Sequence, residues 1–258
     1  RISNPSGQPL IWTLIEDISE RKKVDRMKSE FISTVSHELR TPLTSISGSL
    51  SLVESGTLGA LPSQAERMVS IAHRNAEQLK QLVDDLLDME KLVSGKMTMN
   101  LRIQELGPVI EESAERLKTY ALESGVSVQI KDTSPNCMAK IDRSRLGQAF
   151  TNLLSNAIKF SPKNGVVRIK ARLHSPEYVR VTVSDQGSGV PDSFADSVFK
   201  RFAQAETGTT RSVKGTGLGL AICAELATLM HAEVGYYNDQ GAHFWVDMPT
   251  SGSGEALS

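Results

Sequence analysis

Between about Glu20 and Ser55, apolar residues recur every three or four positions: Val24, Met27, Phe31, Val35, Leu39, Leu43, Ile46, Leu50 and Val53. That period predicts one long amphipathic helix. Gly56 to Pro62 interrupts it. A second helix is predicted from about Ser63 to Ser94. There Met68, Ala72, Asn75, Leu79, Leu82, Leu86, Met89 and Val93 alternate in steps of four and three, the seam of a coiled coil. Asn75 inside that seam lowers stability but fixes register. A two-helix hairpin buries little by itself, so two hairpins are expected to pair as a four-helix bundle, making the chain a homodimer.

Past Gly95 the pattern changes to short strands mixed with helices. Strands are predicted at Lys96 to Ile103, Val126 to Lys131, Val166 to Leu173, Tyr178 to Ser184, Glu233 to Tyr237 and His243 to Met248. Helices are predicted at about Leu106 to Glu123, Arg143 to Phe160 and Gly217 to Met230. This order, with neighbouring strands able to form hairpins, argues for an α/β sandwich of the α+β class. The boundary between hairpin and sandwich falls near Val93 to Gly95. A weakly alternating strand at Pro9 to Asp17 precedes the first helix. The Gly/Ser-rich residues 251–258 read as a disordered tail. The expected organisation is a strand and linker over 1–19, a helical dimerisation domain over 20–95, a sandwich over 96–250, and the tail.

Composition narrows the setting. With 29 basic and 30 acidic residues the net charge is −1, which advertises no nucleic-acid partner. Cys137 and Cys223 stand alone, without a paired motif, as suits a reducing cytoplasmic location. No apolar run approaches the roughly 20 residues that cross a bilayer. The chain starts at Arg1 and reads as a soluble fragment of something longer, with no membrane contact of its own. Whether the longer protein is anchored in a membrane is left open.

The helix after Asp142 has two faces. Leu146, Phe150, Leu153, Leu154, Ala157 and Ile158 form an apolar stripe, while Gln148, Asn152, Asn156 and Lys159 share the opposite side. Asparagine carbonyls suit Mg2+, and a lysine one turn on offsets phosphate charge; a solvated helix face is the plain alternative. Along the strand that follows, Val179, Val181 and Val183 point inward, and Asp185 continues their parity. A buried carboxylate needs a donor; an adenine amine would serve, or the residue merely caps a turn. Gly187 and Gly189 allow a tight turn against a flat base. Phe199 and Phe202 precede the polar stretch Ala203 to Lys214, which reads as a lid with Arg211 and Lys214 available to phosphate. Gly215-Thr216-Gly217-Leu218-Gly219 then opens a helix, an anion-binding arrangement. It is neither a Walker A loop nor a dinucleotide fingerprint.

His37 lies off the Val35/Leu39 seam, where solvent reaches it. Glu38 is adjacent and can bond imidazole Nδ1, leaving Nε2 nucleophilic. Thr41 lies one turn along. Pro42 cannot donate to the Glu38 carbonyl, which weakens or bends the helix there. A solvated surface histidine is the plain alternative. His73, His174, His231 and His243 read as ordinary surface or element-end residues, none at metal-ligand spacing.

In combination these segments are specific. Phe31 to Leu43, containing Ser36-His37-Glu38-Leu39-Arg40-Thr41-Pro42, resembles the phosphoacceptor helix of sensor histidine kinases of two-component systems. Asn152 to Phe160, Asp185 to Val190, Val198 to Phe202 and Gly215 to Gly219 resemble, in order, the boxes of their ATP-binding domain, shared with gyrase and chaperone ATPases. Asp17 to Arg21 resembles the exit of a PAS sensor domain; a generic strand with a cap at Ser19 is the alternative. The resemblance implies ATP and Mg2+ as cofactors, with Asn156 and Asn152 at the metal and phosphates and Lys159 on phosphate. It further implies Phe160 beside the base, Asp185 reading adenine, and Gly215, Gly217, Leu218 and Gly219 in the phosphate turn. His37 would be the phosphoacceptor, Glu38 its proton partner, and Thr41 a positioner of water for the reverse reaction. The expected partner is a response-regulator receiver domain carrying an acceptor aspartate. The departure is at Asp239 to Phe244, where Gly241 stands in place of the usual glycine pair. Three other readings remain: an ATPase that hydrolyses nucleotide without using His37, a nucleotide-binding scaffold that modulates another kinase, and an enzyme acting mainly as a phosphatase. Stimulus, cognate receiver, and transfer within or between protomers are not readable from the residues.

Overall fold

The computed structural model of the protein describes residues 19–133, 137–204 and 216–250. The expected strand at 9–17 and its exit motif, and the tail at 251–258, lie outside these residues.

Two antiparallel helices come first, α1 (Ser19–Glu54) and α2 (Ser63–Val93), with Pro42 inside α1. Their contacts set the register. Arg40 Nε and NH2 donate to Asp84 Oδ1 at 2.9 and 2.6 Å, and the Ser47 hydroxyl donates to Glu77. His73 Nδ1 lies 2.6 Å from Glu54 Oε2, and this bond holds the Glu54 carboxyl below its usual range. His73 is therefore paired and half-buried, where solvation was expected. Counting back from Arg40 along α1 and onward from Asp84 along α2 sets His37 level with Leu87.

The residues of the hairpin fall into three settings, and the face buried between the helices is mostly not the set of periodic apolar positions. Ser36, Leu43 and Ser47 on α1, with Ala76, Val83 and Leu87 on α2, are buried between the two helices. Met89 and Leu92 turn into the core of the following domain. Phe31, Val35, Leu39 and Ile46 on α1, and Met68, Leu79, Leu82 and Val93 on α2, are left exposed on one side of the hairpin.

Strand β1 (Arg102–Glu105) pairs antiparallel with β3 (Met138–Ile141). The larger sheet has the order β2-β4-β5-β7-β6, formed by β2 (Ser127–Thr133), β4 (Val166–Ser175), β5 (Tyr178–Ser184), β6 (Glu233–Asn238) and β7 (Ala242–Pro249). Only β2 and β4 run parallel. Buried and half-buried residues alternate along β4 and β5, so one sheet face carries Val167, Ile169, Val179, Val181 and Val183 into the core. Helices α3 (Leu106–Arg116), α4 (Lys118–Ser124), α5 (Arg143–Phe160) and α6 (Gly219–Leu229) complete that core. Among the described residues this is the expected helical hairpin followed by an α/β sandwich.

Three differences from the expected elements have local causes. The strand expected from Lys96 is confined to Arg102–Glu105, because the chain there is crossing between domains: Met97 is buried and Asn100 N donates to Asp142 Oδ2 at 2.9 Å. The helix expected over Leu106 to Glu123 breaks at Leu117, whose φ and ψ of −100° and 5° separate α3 from α4. Strand β3 was not expected; four residues are too few to show a period.

Asp142 joins several of these pieces. Its Oδ1 caps α5 by accepting from Ser144 N and Arg145 N at 3.0 and 3.2 Å, while Oδ2 holds the incoming linker at Asn100. Replacing it with alanine strands those amides. Asp142→Ala is expected to lower unfolding stability by about 1–2 kcal/mol, seen in urea as a lower midpoint with an unchanged slope.

Candidate functional site

Helix α5 buries its apolar stripe as expected: Leu146, Phe150, Leu153, Leu154, Ala157 and Ile158 are all within the core. Its other face carries Gln148, Asn152, Asn156 and Lys159, each half-exposed. These four have different surroundings. Gln148 Nε2 donates to Asp88 Oδ2 of α2 at 2.6 Å. Asn152 Nδ2 donates to the Gly219 carbonyl at 3.1 Å and braces the start of α6. Asn156 has no hydrogen-bond partner among the described residues, so its amide faces the open side. Lys159 Nζ lies over the Phe160 ring, 5.0 Å from its centroid, and burial holds its ammonium below the usual lysine range.

At the end of β5, Asp185 is buried as its parity required. Its Oδ1 accepts from Gly187 N at 2.8 Å and from Ala242 N at 3.1 Å. Oδ2 takes no bond among the described residues and remains the oxygen able to receive a ligand's donor. The Ala242 amide is a functional contribution that sequence reasoning missed. It depends on Gly241, where a Cβ would fall 2.1 Å from the Asp185 carbonyl oxygen. The one glycine kept in that turn thus lets the β6–β7 hairpin lie directly on Asp185.

The next turn is packed closely against two other elements. Gly187 lies against the end of α5, a Cβ there falling 2.5 Å from the Phe160 carbonyl oxygen, and Gly189 lies against Asn238. The Asn238 amide bonds the Val190 backbone in both directions, at 2.9 and 2.8 Å. On the side where a Cβ would stand, these glycines admit neighbouring protein. Asn238 carried no sequence signal of its own.

Phe199 is packed, its ring edge-on to Phe244 at 6.2 Å and tilted against Tyr236 at 6.5 Å. Phe160 and Phe202 are instead 51% and 63% exposed. Phe202 N donates to the Gly217 carbonyl at 2.8 Å. Gly217 has φ +69°, and a Cβ would meet the Phe202 backbone at 2.7 Å, so glycine is required there. The Thr216 hydroxyl accepts from Leu218 N at 3.0 Å, and Leu218 is buried in the core. The remaining expected phosphate contacts, Arg211, Lys214 and Gly215, lie outside the described residues.

His37 is exposed, and neither it nor Glu38 has a hydrogen-bond partner among the described residues. Neighbouring residues on a helix point about 100° apart, so Glu38 does not lie against the ring without side-chain rotation. Thr41 is also exposed, one turn from His37. No group of three histidine, cysteine or acidic residues forms a metal cluster among the described residues. A cation at this site would therefore rest on the Asn156 carbonyl, with phosphate oxygens and water, a donor set that fits Mg2+. The cysteines are buried, and burial pushes the Cys223 thiol up to about 12, which leaves it a packing residue.

Sequence reasoning also missed the acidic face of α2. Asp85 and Asp88 point at the sandwich. Burial raises the Asp85 carboxyl above the usual carboxylate range, a shift opposed by hydrogen bonds from Gln81 and Thr216 and reinforced by Asp88. Gln81 Nε2 donates to Asp85 Oδ1 at 2.7 Å. Their only sequence signal was a spacing of three, which puts two carboxylates on one face.

Comparison with known proteins accounts for both halves. Residues 27–95 match the His Kinase A (phospho-acceptor) domain, and residues 141–252 match the histidine kinase-, DNA gyrase B- and HSP90-like ATPase family. The chain is 35% identical over 236 residues to the hybrid signal transduction histidine kinase D of Dictyostelium discoideum, covering 88% of this chain and 15% of that protein. It is 32% identical over 238 residues to the sensor histidine kinase TmoS of Ectopseudomonas mendocina, covering 91% and 24%. The chain thus spans less than a quarter of the length of these two relatives. The crystal structure of full-length ShkA in complex with AMPPNP superposes with a TM-score of 0.68 at 30% identity, over 85% of this chain and 45% of that one. Carrying both domains in this order, and sharing about a third of its residues with such proteins, the chain belongs to the sensor histidine kinases of two-component systems.

Proposed function

We propose that this chain is the catalytic core of a protein-histidine kinase that binds ATP with Mg2+ and phosphorylates its own His37. The observation carrying the proposal is the pairing, in one polypeptide, of an exposed His37 on the phospho-acceptor hairpin with a buried Asp185 that keeps one oxygen uncommitted at the ATPase site. Asp185 Oδ2 receives the adenine amine. Asn156 holds the metal, Asn152 keeps the turn at Gly217 to Gly219 in place beside the phosphates, and Lys159 offsets their charge. Bound Mg2+ neutralises charge on the phosphate oxygens.

In the transfer, the Nε2 lone pair of neutral His37 attacks the γ-phosphorus, the bond to the bridging oxygen breaks, and ADP leaves with its electrons. The Nδ1 proton is then lost to Glu38, whose side chain rotates toward the ring to accept it. Little covalent chemistry is left to the protein, so acceleration comes from positioning and charge neutralisation. The phosphoryl group then passes to an aspartate of a response-regulator receiver domain. Thr41, exposed one turn away, is placed to orient water for dephosphorylating that partner. The exposed apolar side of the hairpin supports a homodimer, since two such faces bury each other in a four-helix bundle. No helix among the described residues is long and apolar enough to cross a membrane.

Three outcomes test this reading. Incubation with γ-labelled ATP should label the wild-type chain with an alkali-stable, acid-labile group that is absent in His37→Gln and Asn156→Asp. Phosphate release without labelling would instead identify a simple ATPase, and binding alone a scaffold. Asp185→Asn should weaken binding of an ATP analogue about five- to a hundredfold in calorimetry, matching a loss of about 1–3 kcal/mol for a mispaired buried group. Light scattering at micromolar concentration should give twice the chain mass, and a monomer would remove the assigned partner of the exposed seam.

A further inference from the structure

Two amides fix the Asp185 carboxylate, and they differ in what they can hold. Gly187 N is two residues along the same segment, so its bond travels with the aspartate. Ala242 N comes from beyond the β6–β7 turn, 57 residues on, and ties Oδ1 to another element. Whatever places Ala242 therefore sets the direction in which Oδ2 points. Asp185 N completes the contact by donating to the Ala242 carbonyl at 3.0 Å. This contact lies just past Ser184 and His243, the last paired residues at that end of the β5–β7 ladder. Element ends are where a fold opens at least cost.

The residue after Ala242 holds that end shut. His243 read as an ordinary residue near a strand start, yet both of its ring nitrogens are bonded. It lies directly across from Ser184, on the opposite sheet face from Ala242 and Asp185, because neighbours along a strand point to opposite sides. Nδ1 is 2.7 Å from Ser184 Oγ, and Nε2 is 2.8 Å from the Asp239 carbonyl oxygen. A carbonyl only accepts, so Nε2 carries the hydrogen, and on the neutral ring Nδ1 accepts from the Ser184 hydroxyl. Tyr237 covers one ring face, stacked with centroids 4.6 Å apart and planes 9° from parallel. Ser184 is buried beneath. One imidazole thus joins the end of β5, the turn and β6. Asn238 clamps the other end of that turn to the Val190 backbone.

We propose that His243 is a positioning residue for nucleotide binding: it locks the Ala242 amide against Asp185 and so aims the base acceptor without touching the ligand. This rests on the reading of Asp185 as acceptor of the adenine amine, and deepens it. Without the ring, the Ser184 hydroxyl and the Asp239 carbonyl turn to water, and Asn238 alone clamps the turn. The end pair then opens more often, and Oδ2 is no longer held in one direction.

Calorimetry on the full chain with a non-hydrolysable ATP analogue tests this. His243→Ala and Ser184→Ala should each weaken binding about three- to tenfold, the range for a lost hydrogen bond. The serine change removes a single hydroxyl, which keeps the test valid if the histidine variant fails to fold. His243→Gln, whose amide nitrogen reaches about as far as Nε2, should recover part of the loss. His243→Leu, of similar bulk but with no donor, should not. In an Asp185→Asn background either alanine change should cost less than about twofold more, because the acceptor being aimed is already gone. The full loss persisting in that background, or wild-type affinity in both alanine variants, would overturn the inference. The parent reading fails separately: if Asp185→Asn binds the analogue as tightly as wild type, Asp185 is not the base acceptor, and the role given to His243 falls with it.

Discussion

The arrangement depends on how α5 is committed on its two sides. Its apolar stripe, from Leu146 to Ile158, is fixed in the sandwich core at almost no exposure. A helix so anchored cannot rotate without exposing Phe150 and its three leucines, at about 1.5–3 kcal/mol each by transfer alone. Its polar face is therefore held in one direction. Along that face the residues divide by height: Gln148 meets α2, Asn152 meets the start of α6, and Asn156 and Lys159 are left toward the open side. A single packing constraint thus orients the hairpin, the glycine turn and the proposed phosphate contacts together.

Much of this could be read from the residues, because the signals were periodic. The hairpin, α5 and the strands of the larger sheet follow from spacings of three or four and of two, and Asp185 was placed inside by parity alone. What escaped was non-periodic or came from a distant element. The Ala242 amide on Asp185 and the Asn238 clamp on Val190 come from the β6–β7 hairpin, some fifty residues on. Strand β3 is four residues long, and the break at Leu117 has no glycine or proline to announce it. Gly187 was singled out as needing close approach, and the Phe160 backbone that lies against it was not readable from the motif.

The hairpin illustrates the same limit for pairing. One heptad-like pattern on α2 was read as a single seam, yet its members do not share one environment. Met89 enters the sandwich core, while Met68, Leu79, Leu82 and Val93 stay exposed. Periodicity reports which side of a helix is apolar but not which of several partners will cover it. The second domain meets α2 through Met89 and Leu92 together with Asp88, a mixed set of positions with no comparable period.

The way Asp185 is gripped bears on which purine the site would accept. Two backbone amides from separate elements fix Oδ1, so the carboxylate cannot swivel to offer a different edge. Oδ2 is then a rigid acceptor of fixed direction. A ring with an exocyclic amine opposite it gains a charge-assisted bond, whereas a ring with an oxo group there would set two lone-pair-bearing oxygens against each other in a desolvated space. Discrimination of inosine- or guanosine-type rings would in that case come from rejection more than from attraction, the regime in which a site that demands a donor separates ligands most sharply.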